Sequence, residues 1–321
     1  MSAENVTKIP VMSTLLITHP SFLEHQTGEQ HPESPDRLSA VLAALDAAEF
    51  GGLVRRAAPA ATMEQLTRVH PASYVEVLLG IRPSPGEIVQ IDDSTFISQR
   101  SVEAARHAAG AVVAGVEAVM EGQVRTAFAA VRPPGHHALP AVPGGFCLLN
   151  NVAVGALHAQ AKYGLERVAI VDFDVHHGQG TQGIIESDAR LFYASSHQYP
   201  LYPGTGFARE RGIAGNVVNV PLPPGSGSEV FRAAWSQRIL PQLESFAPQL
   251  LIVSAGFDAH RLDPLAELNV EVEDFVWLTE ELLAVAGRHG GGRLVSALEG
   301  GYDLGALADS AAAHVRVLMR A

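Results

Sequence analysis

Three ionisable residues stand at alternate positions where an apolar segment ends. The segment 168–173 is strongly apolar, and Asp172, Asp174 and His176 follow one another at every second position across its end. Alternate side chains of an extended strand point to the same side, so these three side chains can converge on one point. Burying such groups without a partner is costly, which favours a bound metal ion over solvated charges at a strand end.

A second group with the same residue types follows the apolar segment 250–254. Asp258, His260 and Asp263 lie close together there, and their positions alone leave open which of them binds a metal. Two carboxylates and one imidazole would leave coordination positions free for water and a substrate carbonyl, as a catalytic zinc ion requires. The oxygen and nitrogen donors suit zinc, with iron or another divalent ion as the alternative.

Two further positions carry groups suited to proton transfer and to oxyanion stabilisation. His136 and His137 follow the apolar segment 126–131 in a turn rich in proline and glycine. Histidine titrates near neutrality, so the pair is suited to acid–base catalysis, although two polar loop residues are an equal alternative. Tyr302 follows two glycines after the segment 294–298 and, together with the other groups, is a candidate donor to an oxyanion.

The short apolar segments that precede these groups predict buried parallel strands. Such strands are apolar throughout because both of their faces are covered. The predicted strands are 15–18, 126–131, 168–173, 191–195, 217–220, 250–254 and 294–298. The predicted helices between them are 35–48, 101–120, 152–163, 229–246 and 273–289. This alternation predicts an α/β fold, in which ligands bind at the carboxyl ends of the strands.

Composition excludes several classes of partner and site. A net charge of -12 argues against nucleic acid as the main partner, since phosphate binding needs clustered cations. We find no apolar run long enough to span a membrane and no secretory signal, so we expect cytoplasmic residence. The single cysteine, Cys147, excludes an internal disulfide framework and a cysteine-based zinc site.

Several motifs, taken together and in this order, resemble the histone deacetylase family, which includes bacterial histone deacetylase-like and acetylpolyamine amidohydrolases. The motifs are Arg132-Pro-Pro-Gly-His-His-Ala, Gly145-Phe-Cys-Leu-Leu-Asn-Asn-Val-Ala, Val171-Asp-Phe-Asp-Val-His-His-Gly-Gln-Gly-Thr-Gln, Tyr202-Pro-Gly-Thr-Gly, Ser254-Ala-Gly-Phe-Asp-Ala-His, Asp263-Pro-Leu and Glu299-Gly-Gly-Tyr. The resemblance extends from about Thr18 almost to the C-terminus. It implies a single-domain arginase/deacetylase-type α/β fold, with a mostly parallel sheet flanked by helices on both faces. We expect residues 1–12 to form a flexible tail and 13–321 the catalytic domain.

The resemblance implies a zinc-dependent amidohydrolase that removes acetyl or other acyl groups from lysine side chains. Its zinc ligands would be Asp174, His176 and Asp263, and Asp258 and His260 would then be structural. Iron is the alternative metal.

The resemblance also implies a role for each catalytic residue. His136 and His137 match the general acid–base pair of the family, and Asp172 matches the aspartate that orients His136. Tyr302 matches the tyrosine that polarises the acyl carbonyl together with the metal. Gln179 stands where many relatives have aspartate or asparagine, near the second histidine of the pair.

Two further sites are implied by the same resemblance. A structural potassium ion would be held at Asp172, Asp174, His176, Ser195 and Ser196, partly through main-chain carbonyls. Phe146 and Tyr202 match the aromatic walls of a substrate tunnel, with Gly145 beside them. Ser94 matches a residue at the tunnel rim that contacts the amide of the substrate.

The implied substrates are acylated lysines in peptides or proteins, or acetylated polyamines. Val270 stands where a glutamate would indicate polyamine specificity, which favours acyl-lysine. An arginase-type ureohydrolase with two manganese ions would have further metal ligands in place of the His pair and Tyr302. An inactive acyl-lysine binder would lack a catalytic residue, and none is lost. Assembly into a homo-oligomer is possible.

Overall fold

Eight parallel strands form the central sheet of the computed structural model, which describes residues 13–321. The predicted tail over residues 1–12 lies outside the described residues. The strands are β1 Thr14–Thr18, β2 Val54–Ala57, β3 Val89–Gln90, β4 Phe96–Ile97, β5 Thr126–Ala129, β6 Val168–Asp172, β7 Leu191–Gln198, β8 Val217–Leu222, β9 Leu250–Ala255 and β10 Leu294–Leu298. The sheet order is β2-β1-β5-β10-β9-β6-β7-β8, and β3 pairs with β4 in a separate antiparallel ribbon.

Helices connect these strands and flank the sheet. They are α1 Ser21–Glu24, α2 Pro35–Leu45, α3 Met63–Thr67, α4 Ala72–Gly80, α5 Ser101–Met120, α6 Asn151–Tyr163, α7 Gln179–Ile185, α8 Ser228–Ala234, α9 Leu240–Phe246, α10 Val272–Gly290 and α11 Leu304–Leu318. A π-helical segment, Trp235–Ile239, joins α8 to α9, so the predicted helix 229–246 is interrupted. Within residues 13–321, no helix is both long enough and apolar enough to cross a lipid bilayer.

The centre of the sheet is covered on both faces. Every residue of β5, β6, β9 and β10 is buried, which explains why these strands are predominantly apolar. All the predicted strands are present, six with shifted bounds and 294–298 with the predicted ones, and the α/β prediction is confirmed. The edge strand β2 was missed because it carries two exposed arginines, Arg55 and Arg56, in place of an apolar run.

The parallel arrangement brings the candidate catalytic groups to one edge of the sheet. The loops that follow β5, β10, β9 and β6 leave from neighbouring strands, and all four leave at the carboxyl end. Asp172 pairs in register with Ser254 on one side and with Ser195 on the other. Side chains that are far apart in the sequence therefore converge at this edge, as expected for an open parallel sheet.

Candidate active site

A cluster of possible metal ligands lies just beyond the ends of β6 and β9. Ligand atoms of Asp174, His176 and Asp258 all lie within 4.8 Å of one another. His176 Nδ1 is 3.1 Å from Asp174 Oδ1 and 3.2 Å from Asp258 Oδ2. All three side chains are buried at this edge of the sheet.

Asp263 lies beside this cluster with its carboxylate bound to the main chain. Its Oδ1 accepts a hydrogen bond from Leu265 N at 3.0 Å, and its Oδ2 accepts one from Tyr302 N at 2.7 Å. The geometry thus brings Asp258, expected to be structural, into the group of ligand atoms, and leaves Asp258 and Asp263 both as candidates for the third ligand. His260 is directed elsewhere, since its Nδ1 accepts from Leu262 N and its Nε2 is 3.8 Å from Glu271.

The electrostatics of the cluster suit a bound cation. Burial and the neighbouring charge of Asp258 raise the pKa of Asp263 to about 7. Burial and the charge of Asp174 likewise raise the pKa of Asp258. Crowded carboxylates of this kind repel one another unless a positive charge lies between them. A Cβ on Gly300 would overlap the carboxylate of Asp258, so glycine is needed there. Two carboxylates and an imidazole fit zinc.

The two histidines occupy different electrostatic environments. His136 Nδ1 lies 3.0 Å from Asp172 Oδ2, and His137 Nδ1 lies 2.7 Å from Gln179 Oε1. Burial alone would lower the pKa of His136, but the carboxylates of Asp174 and Asp172 raise it above its usual value. Burial and the neighbouring His136 lower the pKa of His137 well below its usual value. His137, which lies beside the neutral amide of Gln179, is therefore suited to act as a base.

Tyr302 is held from two sides. Its main-chain N–H donates to Asp263, and the guanidinium carbon of Arg37 lies 4.8 Å from the centre of its ring. Arg37 is fully buried and donates hydrogen bonds to the carbonyl oxygens of Gly301 at 2.6 Å and Glu299 at 2.5 Å. Burial raises the pKa of Tyr302, so its hydroxyl stays a neutral hydrogen-bond donor.

Two functional positions, Arg37 and the side chain of Glu299, were missed by reasoning from the sequence. Arg37 was assigned only to a helix and to the segment 31–38, which resembles the family and was expected to shape the tunnel rim, and Glu299 was assigned only to a motif. A buried arginine is rare unless it is paired, and Arg37 is paired with Glu33 at 3.1 Å. The signal was the charged residue itself on an otherwise apolar helix face, but its partners were not visible in the sequence.

A cavity of about 240 Å³ leads to these groups. It is lined by Ser94, His137, Gly145, Phe146, His176, Leu201, Tyr202, Leu265 and Tyr302. Its walls are mainly apolar, and its polar groups are those suited to catalysis. A wider depression of about 660 Å³ beside α5 is lined by none of the candidate catalytic residues.

The argument from Val270 about the substrate is wrong. Val270 is fully buried, its main chain pairs with the segment at His260, and it is not among the residues that line the cavity. A residue in that position cannot select substrates at the rim. Its apolar character is explained by packing instead.

Two of the positions implied for potassium, Ser195 and Ser196, lie within β7, and the others lie at or just beyond the end of the neighbouring β6. Ser195 and Ser196 are buried, and Ser195 pairs in register with Asp172. The hydroxyl of Ser195 is 2.9 Å from His197 Nδ1, and that of Ser196 accepts a hydrogen bond from Trp235 Nε1 at 2.9 Å. Both hydroxyls therefore have protein partners, so a cation there would depend mainly on main-chain carbonyls.

Comparison with known proteins identifies the family. Residues 31–318 match the histone deacetylase domain. The chain is 38% identical to a probable deacetylase of Archaeoglobus fulgidus, over 91% of this chain and 82% of that protein. It is 40% identical to a histone deacetylase-like amidohydrolase of Pseudomonas aeruginosa, over 85% of this chain and 73% of that protein. The crystal structure of the HDA15 HD domain superposes with a TM-score of 0.89 at 37% identity, covering 96% of this chain and 88% of that one. The chain therefore belongs to the histone deacetylase family of hydrolases.

Proposed function

We propose that this protein is a zinc-dependent amidohydrolase that removes acetyl or other acyl groups from acylated lysine side chains. The observation that carries the proposal is the cavity whose apolar walls end at His137, His176 and Tyr302. Such walls suit the methylene chain of an acyl-lysine, and the groups at their end suit hydrolysis of its amide.

The cluster of Asp174 and His176, with Asp258 or Asp263 as the third ligand, would hold the ion. When bound, a zinc ion lowers the pKa of a coordinated water and polarises the acyl carbonyl. Iron has similar ligand preferences and is the alternative.

The protein groups supply the proton transfers. His137 lines the cavity and has a lowered pKa, so it is neutral near pH 7 and accepts the proton as water attacks the acyl carbon. The same ring then delivers that proton to the amine as the C–N bond breaks. His136, which is hydrogen-bonded to Asp172 and has a raised pKa, packs against the ring of His137. The hydroxyl of Tyr302 donates a hydrogen bond to the developing oxyanion.

Acetylated polyamines form the second candidate substrate class, because they also present an amide at the end of a methylene chain. An arginase-type ureohydrolase is less well supported. Such an enzyme would have further metal ligands at the positions of His137 and Tyr302, which line the cavity here. An inactive acyl-lysine binder is disfavoured because the residue types needed for hydrolysis are all present. Four expectations stay predictions: bound potassium, cytoplasmic residence, assembly into a homo-oligomer, and a catalytic domain over residues 13–321.

A panel assay tests the proposal. The protein, loaded in parallel with zinc, iron or manganese, is incubated with acetyl-lysine peptides, longer acyl-lysine peptides, acetylated polyamines and arginine. We expect release of the acyl group as a carboxylic acid from the lysine peptides. Faster hydrolysis of polyamines would move the assignment to the second class, and release of urea from arginine would overturn it.

A further inference from the structure

Phe146, a wall of the cavity, adopts a backbone conformation that bulky residues rarely adopt. Its φ angle is 70°, and the φ angle of the preceding Gly145 is 55°. Gly144 and Cys147 exchange both main-chain hydrogen bonds at 3.0 Å, so Gly145 and Phe146 are the two central residues of a tight turn. Positive φ at both central positions is typical of a type I′ turn, where glycine and asparagine are preferred. A phenylalanine there persists only if its surroundings hold it.

The side chain of Thr95 provides the first of these restraints. Its Oγ1 accepts a hydrogen bond from the main-chain N–H of Phe146 at 3.0 Å. Thr95 is buried, and its own N–H donates to Asp92 Oδ1 at 2.6 Å. Its carbonyl oxygen accepts from Ile91 N at 2.9 Å. The turn between β3 and β4 therefore fixes the position of the threonine hydroxyl.

His31 restrains the ring of Phe146 from the same side. The two ring centres lie 4.8 Å apart in an edge-to-face arrangement. His31 also packs against Phe96 at 5.3 Å, and its Nε2 is 3.1 Å from the carbonyl oxygen of Ser94. The ring of Phe146 also lies 5.9 Å from that of Tyr302, in an edge-to-face arrangement. Segment 92–96 thus holds the main chain of Phe146 directly, through Thr95, and holds the ring of Phe146 indirectly, through His31.

We propose that Thr95 is a positioning residue that sets the width of the acyl cavity by holding Phe146 at positive φ. This inference rests on the proposed function only in taking the cavity to be the acyl-binding site. Without the hydroxyl, the N–H of Phe146 loses its acceptor, and only the ring contacts and the turn's own hydrogen bonds then oppose the unfavourable φ angle. The turn relaxes and the ring moves away from its place opposite Tyr302. Thr95 has no hydrogen bond to His137 or Tyr302, so binding is affected more than the chemical step.

Two variants separate the hydroxyl from the shape of the side chain. Thr95→Val keeps the branched shape and removes the acceptor, whereas Thr95→Ser keeps the acceptor and removes a methyl group. We expect Thr95→Val to raise KM for an acetyl-lysine peptide by about tenfold, with kcat changed by less than about threefold, as for loss of one buried hydrogen bond. Thr95→Ser should remain within about threefold of wild type in both constants. Equal effects of the two variants, or a loss confined to kcat, would overturn the inference.

Amide hydrogen exchange tests the same contact without relying on activity. The N–H of Phe146 should exchange faster in Thr95→Val than in wild type, and should keep its protection in Thr95→Ser. The comparison is made between proteins whose thermal unfolding midpoints are equal, so that a difference in exchange reports on this turn and not on global stability. Unchanged exchange in Thr95→Val would show that the hydroxyl does not hold the turn, whatever the kinetics. If the wild-type protein hydrolyses no acyl-lysine, the proposed function fails, and the exchange rates still decide whether Thr95 positions Phe146.

Discussion

The carboxylate of Glu299 accepts a hydrogen bond from the main-chain N–H of His136, at 3.2 Å from Oε2. The same oxygen accepts from Gly135 N at 2.6 Å, and Oε1 accepts from the hydroxyl of Ser254 at 3.1 Å. Glu299 is fully buried, and burial raises its pKa to about 7. One side chain at the end of β10 therefore holds the loop that carries both histidines.

Removal of this side chain is expected to displace the histidine loop. Glu299→Ala leaves the two buried N–H groups without an acceptor, at a cost of about 1–3 kcal/mol each. We expect kcat to fall by about tenfold or more, because His137 is no longer held against the substrate. Glu299→Gln retains an acceptor oxygen and serves as the matched control. Steady-state kinetics at equal metal content decides, and equal losses in the two variants would show that the charge, and not the acceptor, is what matters.

The hydroxyl of Tyr302 is expected to act mainly in the transition state. Tyr302→Phe should keep the fold and the metal, and lower kcat by about 10²-fold, the usual effect of removing one oxyanion donor. Tyr202→Phe removes a hydroxyl from the other aromatic wall and should leave kcat within about threefold. Turnover of Tyr302→Phe close to that of wild type would mean that this tyrosine only lines the cavity.

Metal analysis distinguishes the two candidates for the third ligand. We expect about one zinc ion per chain and loss of activity on chelation, restored by adding zinc. Asp258→Asn and Asp263→Asn are matched variants, and the one at the true ligand should weaken zinc binding by about 10-fold or more. Competition with a chromophoric chelator measures this affinity. Two essential ions per chain would favour the ureohydrolase alternative instead.

The residue at position 179 is expected to influence the pKa of the catalytic base, His137. Gln179→Asp places a carboxylate beside His137, which stabilises the imidazolium and raises the pKa of His137. Because His137 must be neutral to accept a proton, the acidic limb of the kcat/KM profile should move to higher pH. Gln179→Asn has the same length without the charge, and its profile should stay near that of wild type. An acidic limb at the same pH in both variants would show that residue 179 does not contact the base, or that His136 carries the proton instead.

A buried histidine in the core should make the fold sensitive to acid. His314 is fully buried between Thr279 Oγ1 at 2.7 Å and Ser296 Oγ at 2.9 Å, and burial lowers its pKa to about 3 from the usual 6.5. The unfolded chain binds a proton near pH 6.5 that the folded chain excludes. The contribution of His314 to stability is thus complete above that pH and declines as the pH falls towards 3, by about 1.4 kcal/mol per pH unit.

The comparison with His314→Gln isolates this group. An amide side chain does not titrate, so the free energy of unfolding of the variant should depend less steeply on pH, by about 1.4 kcal/mol per unit below pH 6. Urea unfolding at several pH values measures both slopes. Other buried histidines with lowered pKa, such as His25 and His197, contribute equally to both proteins. Parallel slopes would show that His314 is not the group that excludes the proton.

Local sequence was sufficient for the elements and for part of the site. The central strands were predictable because burial on both faces makes them predominantly apolar, whereas β3 and β4 span two residues each and leave no such pattern. Asp174 and His176 were singled out because alternate residues of an extended segment point the same way, although β6 itself ends at Asp172 and both residues lie in the loop beyond it. These inferences depend on neighbours in the chain and need no knowledge of the fold.

Only the tertiary structure brought distant residues into contact. Gly135 and Glu299 lie 164 residues apart, and Thr95 lies 51 residues from Phe146, yet each pair shares a hydrogen bond. Asp258 and His176 are likewise far apart in the sequence, yet a carboxylate oxygen of Asp258 lies 3.2 Å from His176 Nδ1. The positions of such groups depend on loops whose conformations are set by contacts with other loops. The sequence by itself therefore determined which residue types the site contains, while the packing of four strand-end loops decided which of them meet, because no local preference specifies a contact between separate loops.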